Sequence, residues 1–298
     1  METNILLESG TNELEILEFS VGNQHYGINV AKVKEILPYQ APTLVPNSHP
    51  SIEGIFMPRN EIITVVSLFE SLNIAHKPSE NDMLIITNFN QLNIGFHVSG
   101  VKGIHRVSWE SISKPDVTIN AEGSGVATGI VKLGEDLIII LDFEKIVADV
   151  CPATSLQIDE VKGLGMRQRN DVPIIIAEDS PMLYQLIRDC LVEAGYTNLT
   201  LTANGREAWN KLTMFKENGT IKDNVACVIT DIEMPQMDGH HLTKLIKSDP
   251  VLSELPVIIF SSLVNEEMMR KGAELGADAQ ISKPQIGILV KTIDRFVL

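Results

Sequence analysis

Apolar residues along this chain follow two rhythms, and the change falls near residue 170. From Leu14 to about Val150 the apolar runs are short and alternating. Leu17, Phe19 and Val21 interleave with Glu18, Ser20 and Gly22, while Leu92, Ile94, Phe96 and Val98 interleave with Asn93, Gly95 and His97. A period of two marks strands with one face buried and one face wet. The pattern predicts a mostly β region with one short helix around Val30, Val33, Ile36 and Leu37, before Pro38. Within this region the stretch from Gly54 to Glu70 is echoed by the stretch from Gly129 to Glu144. Each runs glycine, apolar pair, polar turn, apolar strand, then an acid after a phenylalanine. The echo predicts two related small β-barrels, each closing its sheet to remove exposed edges; a chance likeness of two hairpins is the alternative.

After Pro173 the texture is different. Ile174-Ile175-Ile176-Ala177 and Val228-Ile229-Thr230 are continuous apolar runs, as are Val257-Ile258-Ile259-Phe260 and the stretch ending at Gln280-Ile281-Ser282. Continuous runs mark strands of a parallel sheet that is covered on both faces. Helical patterns lie between them. Ser180-Pro181 reads as an N-cap with proline at the first helical position, and Leu183, Leu186, Ile187, Cys190 and Leu191 form one face. Alternating strand and helix predicts a doubly wound α/β domain. The chain is thus divided into an N-terminal tail (1–13), a β domain (14–151), a linker marked by Pro152, Ser155, Gly163, Gly165 and the charged run from Arg167 (152–170) and an α/β domain (171–298).

Composition narrows the function. Hydrophobic residues are 44% of the 298 and charged residues 21%, as in globular domains. The net charge of −15 disfavours nucleic-acid binding, because no basic stripe is present to displace counterions. No apolar run approaches the roughly 18 residues a membrane span requires, and Met1-Glu2-Thr3-Asn4 lacks a signal peptide's basic start. Three scattered cysteines (Cys151, Cys190, Cys227) read as free thiols of a cytoplasmic protein, more in keeping with a buried core than with ligation. The histidines of the first half (His25, His49, His76, His97, His105) are dispersed and give a zinc site little support. With no Gly-rich phosphate loop and no GxSxG elbow there, the β domain reads as a binding module.

The chemistry sits at strand ends. The four apolar runs stop at Glu178-Asp179, Asp231, Ser261 and Lys283, on the edge where open α/β sheets carry their sites. A lone strand-end acid is usually a turn or cap; four such ends in order point to one site. Like charges about 4 Å apart repel by roughly 4 kcal/mol at an effective dielectric near 20, so converging carboxylates require protons or a cation. Hard carboxylate oxygens suit Mg²⁺. Asp231 is then placed to attack phosphorus as a nucleophile, with Lys283 and Ser261 on the phosphoryl oxygens. A phosphatase with a nucleophilic Asp is less well matched, since Glu233 stands where that class has a second Asp.

Residues 173–298 resemble a response-regulator receiver domain, the CheY-like fold of five parallel strands and five helices. The resemblance rests on Glu178-Asp179, on Asp231-Ile232-Glu233-Met234-Pro235-Gln236-Met237-Asp238-Gly239, on Ser261-Ser262 and on Lys283-Pro284. It implies that Asp231 is phosphorylated by a histidine kinase and that Glu178, Asp179, Asp231 and the Glu233 carbonyl ligate Mg²⁺. It also implies that Lys283 contacts the phosphoryl group and that the bond between Lys283 and Pro284 is cis. Gln280 stands where the family has a switch aromatic, which leaves the usual relay from Ser261 without its partner.

Residues 14–150 resemble a CheW-type coupling domain, a pair of SH3-like β-barrels. The matching stretches are Glu18-Phe19-Ser20-Val21 to Tyr26-Gly27-Ile28, Val33-Lys34-Glu35-Ile36, Glu53 to Ile62, and Thr128-Gly129-Ile130 to Leu141-Asp142-Phe143. Coupling domain followed by receiver is the layout of CheV-type chemotaxis proteins. The resemblance implies a cytoplasmic scaffold joining the chemotaxis histidine kinase CheA to the cytoplasmic tips of chemoreceptors, held at receptor arrays by its partners. Arg59 falls in the turn where coupling proteins carry a functional arginine, and reads equally as an exposed hairpin charge. The alternative is a two-component response regulator whose β domain binds another partner.

Overall fold

The computed structural model describes residues 12–89, 92–115, 125–151, 161, 163–165, 167–263 and 266–298. They form two compact units.

The first unit holds two five-stranded sheets. Its elements are β1 (Glu13–Val21), β2 (Gln24–Asn29), β3 (Val33–Pro38), β4 (Ile52–Phe56), β5 (Ile63–Ser67), α1 (Leu68–Ser71) and β6 (Met83–Phe89). They continue with β7 (Leu92–Val98), β8 (Gly100–Ser108), β9 (Ala127–Leu133), β10 (Asp136–Leu141) and α2 (Phe143–Val150). The sheet orders are β3-β6-β7-β5-β4 and β8-β1-β2-β10-β9. The two share one plan. An antiparallel hairpin (β6–β7 or β1–β2) pairs in parallel with the second strand of another hairpin (β4–β5 or β9–β10). The sequence echo is this second hairpin with the helix that follows it. Ser67 Oγ accepts from the Glu70 amide at the start of α1, and Asp142 Oδ1 accepts from the Lys145 amide at the start of α2. One core joins the sheets, with Phe19, Phe96 and Phe143 at its centre. The Phe96 and Phe143 rings meet edge to face at 4.7 Å, a pairing worth about 0.5–1.5 kcal/mol beyond burial.

The helix expected around Val30 to Leu37 does not form. Val30–Lys32 make one 3₁₀ turn and Val33–Pro38 are a strand, paired antiparallel with β6. The register slips between Val33 and Glu35, a bulge that inserts one residue. Val33 and Ile36 therefore both pack on the same core despite a spacing of three, which imitates helical periodicity.

The second unit comprises β11 (Ile174–Ala177), α3 (Pro181–Glu193), β12 (Leu199–Thr202), α4 (Gly205–Glu217), α5 (Ile221–Asn224) and β13 (Cys227–Thr230). After these come α6 (Gly239–Ser248), β14 (Val257–Ser261), α7 (Glu266–Glu274), β15 (Ala279–Ser282) and α8 (Ile286–Val297). The strands run parallel in the order β12-β11-β13-β14-β15, the flavodoxin-like winding. Alternate residues face opposite helical layers. Ile174, Ile176, Ile229 and Phe260 pack on α3 and α8, whereas Ile175, Val228 and Val257 pack on α4 and α6. Burial on both faces explains why these strands read as unbroken apolar runs. Cys190 and Cys227 lie buried in this core outside any disulfide, and Cys151 is exposed. Among the described residues no helix is long and apolar enough to cross a membrane.

Candidate functional site

The parallel register brings the strand ends level. Ala177 pairs with Thr230, so Glu178 and Asp231 leave adjacent strands side by side. Ser261 pairs with Ser282, which places Lys283 one residue beyond the same edge. Carboxylate oxygens of Glu178, Asp179 and Asp231 all lie within 4.8 Å of one another. Lys283 Nζ donates to Glu178 Oε2 at 2.8 Å and to Asp231 Oδ2 at 3.0 Å, with the three side chains 4%, 2% and 5% exposed. The bond between Lys283 and Pro284 is cis, in agreement with the receiver resemblance.

Backbone amides complete the cradle. Glu178 Oε1 accepts from the Ser180 amide at 3.2 Å, at the mouth of α3, and Asp231 Oδ1 accepts from the Ile232 amide at 2.6 Å. The Asp231 amide donates to the Ala177 carbonyl at 3.0 Å, and Thr230 Oγ1 donates to the Asp231 carbonyl at 2.8 Å. Asp231 is thus pinned through both its main chain and its side chain. Two of the three carboxylates, Glu178 and Asp231, share one ammonium. Such a donor set suits a hard divalent cation, and the oxygens are close enough to share one.

The remaining expected residues fall less centrally. Ser261 is fully buried at the end of β14, and its Oγ accepts from the Leu263 amide at 3.2 Å. Glu233 lies in the turn after Asp231, and its carboxylate is outside the acid cluster. Gln280, at the switch-aromatic position, is held against α7, where its Nε2 donates to the Met269 carbonyl at 2.6 Å. Its side chain packs on Gly272, whose missing Cβ would come within 2.2 Å of Gln280 Oε1. Arg59, in the other unit, is 81% exposed, lies 3.5 Å from Glu35 and adopts a left-handed φ of 50°.

Sequence reasoning did not single out what closes the site from below. A Cβ on Gly239 would stand 1.9 Å from the Asp231 carbonyl oxygen, so only glycine lets α6 begin there. Asp238 caps that helix, its Oδ1 accepting from the His241 amide at 2.7 Å. Burial pushes the Asp238 carboxyl up to about 6, against the pull of the His241 and His240 amides. Burial likewise pushes His240 down to about 4, helped by the charge of Lys271. The Asp-Gly pair preceding a helical run was the available signal, since Asp is a favoured N-cap and Asp-Gly marks a turn or loop.

Comparison with known proteins agrees with both halves. The CheW-like domain family matches residues 15–151, and the response regulator receiver domain family matches residues 174–294. The chemotaxis protein CheV3 of Helicobacter pylori is 30% identical over 287 residues, covering 91% of each chain. CheV2 of the same organism is 29% identical over 282 residues, covering 88% of this chain and 87% of its own. Among solved structures, the scaffolding protein CheW of Thermoanaerobacter tengcongensis aligns over 43% of this chain and 83% of its own, at 26% identity and a TM-score of 0.40. The chain belongs to the CheV-type chemotaxis proteins, coupling adaptors that join a CheW-like domain to a phosphorylatable receiver.

Proposed function

We propose that Asp231 takes a phosphoryl group from a phosphohistidine of the kinase CheA, and that phosphorylation changes how the first unit couples CheA to chemoreceptor tips. A carboxylate oxygen of Asp231 attacks phosphorus as the phosphorus–nitrogen bond breaks. The bonding pair returns to the imidazole, which takes up a proton. Lys283 already lies 3.0 Å from an Asp231 oxygen, so its ammonium is placed to meet the oxygens of the arriving group. Ser261, whose oxygen accepts from the Leu263 amide, would donate its hydroxyl proton to a phosphoryl oxygen. Glu178 and Asp179, with Asp231 and the Glu233 carbonyl, would hold Mg²⁺. When bound, that ion offsets the charge of the incoming phosphoryl group. The chain itself thereby promotes its own phosphorylation and otherwise acts as a scaffold.

The observation that carries this reading is the bridging of Glu178 and Asp231 by Lys283, all three side chains being nearly fully buried. Arg59 is proposed as a partner contact of the coupling unit, and partner binding would bring the protein to receptor arrays. Phosphotransfer from labelled CheA tests the reading. Unmutated protein takes up label only with Mg²⁺, and Asp231→Asn takes up none. If donor alters receptor-linked kinase activity in the unmutated chain but not in Asp231→Asn, phosphorylation regulates coupling. Label uptake with no change in kinase activity would reduce the receiver to a phosphate sink.

A further inference from the structure

The first unit gathers a second set of metal-type donors, well apart in sequence from the acids just described. His97 lies on β7 opposite Leu84 of β6, Asp82 immediately precedes β6, and His76 lies between α1 and β6. One donor atom from each of His76, Asp82 and His97 is within 4.8 Å of the others. Asp82 Oδ2 is 3.2 Å from His76 Nε2 and 3.4 Å from His97 Nε2. A tetrahedral ion with bonds of about 2.0–2.1 Å has ligand-to-ligand edges of about 3.3–3.4 Å. Both edges therefore already have the length that such an ion requires.

His97 itself points to a ligand. The residue is 2% exposed, and its Nε2 makes no hydrogen bond. Its other nitrogen, Nδ1, lies 2.7 Å from Glu53 Oε1, and Glu53 Oε2 accepts from the Tyr39 hydroxyl at 2.9 Å. A carboxylate behind one ring nitrogen, with the opposite nitrogen buried and without a hydrogen bond, is how metal-binding histidines are oriented. The rings are also clamped. Tyr39 stacks on His97 at 3.8 Å, and Phe69 lies 3.9 Å from His76. The Ser79 amide donates to Asp82 Oδ2 at 3.0 Å and holds that carboxylate in place.

We propose that His76, Asp82 and His97 bind Zn²⁺ in the coupling unit, leaving the fourth position to water. Two imidazoles and a carboxylate are a zinc set, whereas Mg²⁺ prefers all-oxygen surroundings. The site does not depend on the phosphorylation reading. Full-length protein, stripped of metal and held in excess Mg²⁺ to fill the receiver acids, is titrated with Zn²⁺ against a chromophoric chelator. One equivalent is expected to bind. Glu53→Gln, which removes no ligand, is expected to weaken binding roughly 10–100-fold, and His76→Ala or His97→Gln to weaken it further. His76 is partly exposed, so His76→Ala reports even where His97→Gln fails to fold. Co²⁺ gives a second readout, the visible bands of a tetrahedral site, lost in His76→Ala. Absence of tight Zn²⁺ binding overturns the proposal. So does Zn²⁺ affinity that is unchanged in His76→Ala, or that disappears in Asp231→Asn.

Discussion

Replacing Lys283 by methionine keeps most of the side chain's volume and removes its charge. In the native site the ammonium lies 2.8 Å and 3.0 Å from two carboxylates, with all three side chains no more than 5% exposed. Removing one member of a buried ion pair leaves an uncompensated charge and costs about 3–5 kcal/mol. Here the remaining acids also repel one another, since Asp179 completes a cluster within 4.8 Å. The expected loss is therefore roughly 4 kcal/mol in chelator. Mg²⁺ at a hundred times its dissociation constant returns about 2.7 kcal/mol to any protein that binds it only when folded. The variant, left more negative, is expected to bind Mg²⁺ more tightly than the native chain and to gain more. Urea unfolding followed by Trp209 fluorescence in a Trp109→Phe background reports on the receiver, because Trp209 is partly buried against its core. A loss below about 1 kcal/mol, or an equal loss with and without Mg²⁺, would refute the buried-cluster reasoning.

Gly239→Ala would drive a methyl group to within 1.9 Å of the Asp231 carbonyl. It is expected to destabilise the receiver by about 3 kcal/mol and slow phosphate uptake, both read on the purified protein. His240 is neutral when folded, with its pKa lowered to about 4 from 6.5, so the unfolded chain binds more protons between those values and stability rises with pH there. From pH 7 to pH 5 the native chain should lose about 2 kcal/mol more than His240→Asn, measured by urea unfolding. Asp238, raised to about 6, has the opposite slope between 3.8 and 6, which the comparison with His240→Asn cancels. Arg59→Ala is expected to leave stability within about 0.5 kcal/mol, because the side chain is 81% exposed. The same variant is expected to weaken binding to CheA or receptor fragments more than about 10-fold, read by calorimetry; unchanged binding would leave Arg59 a solvated hairpin charge.

The α/β half was legible because its three central strands are buried on both faces. Residues such as Ile174–Ala177 and Cys227–Ile229 must then be apolar throughout, and the run ends visibly at a polar residue. The β half was legible in outline from alternation and from its repeated hairpin, but not around Val33. There a bulge shifts the pleat by one residue, and no local signal separates that from a helical turn. The role of Gly239 was hidden for a different reason. Its constraint comes from a carbonyl eight residues earlier in the chain, brought beneath it only when α6 packs on the sheet.

By itself the amino-acid order determined the two kinds of layer, the position of the acids at strand ends and the linear pairing of a coupling half with a receiver half. These follow from periodicity and chain order, which are local. Tertiary structure alone decided which distant groups meet. Glu178 reaches Lys283 across 105 residues because parallel strands align their ends, and His76, Asp82 and His97 converge because one loop folds over the β6–β7 hairpin. Distances between side chains depend on register and packing, and neither is written in the spacing of residues along the chain.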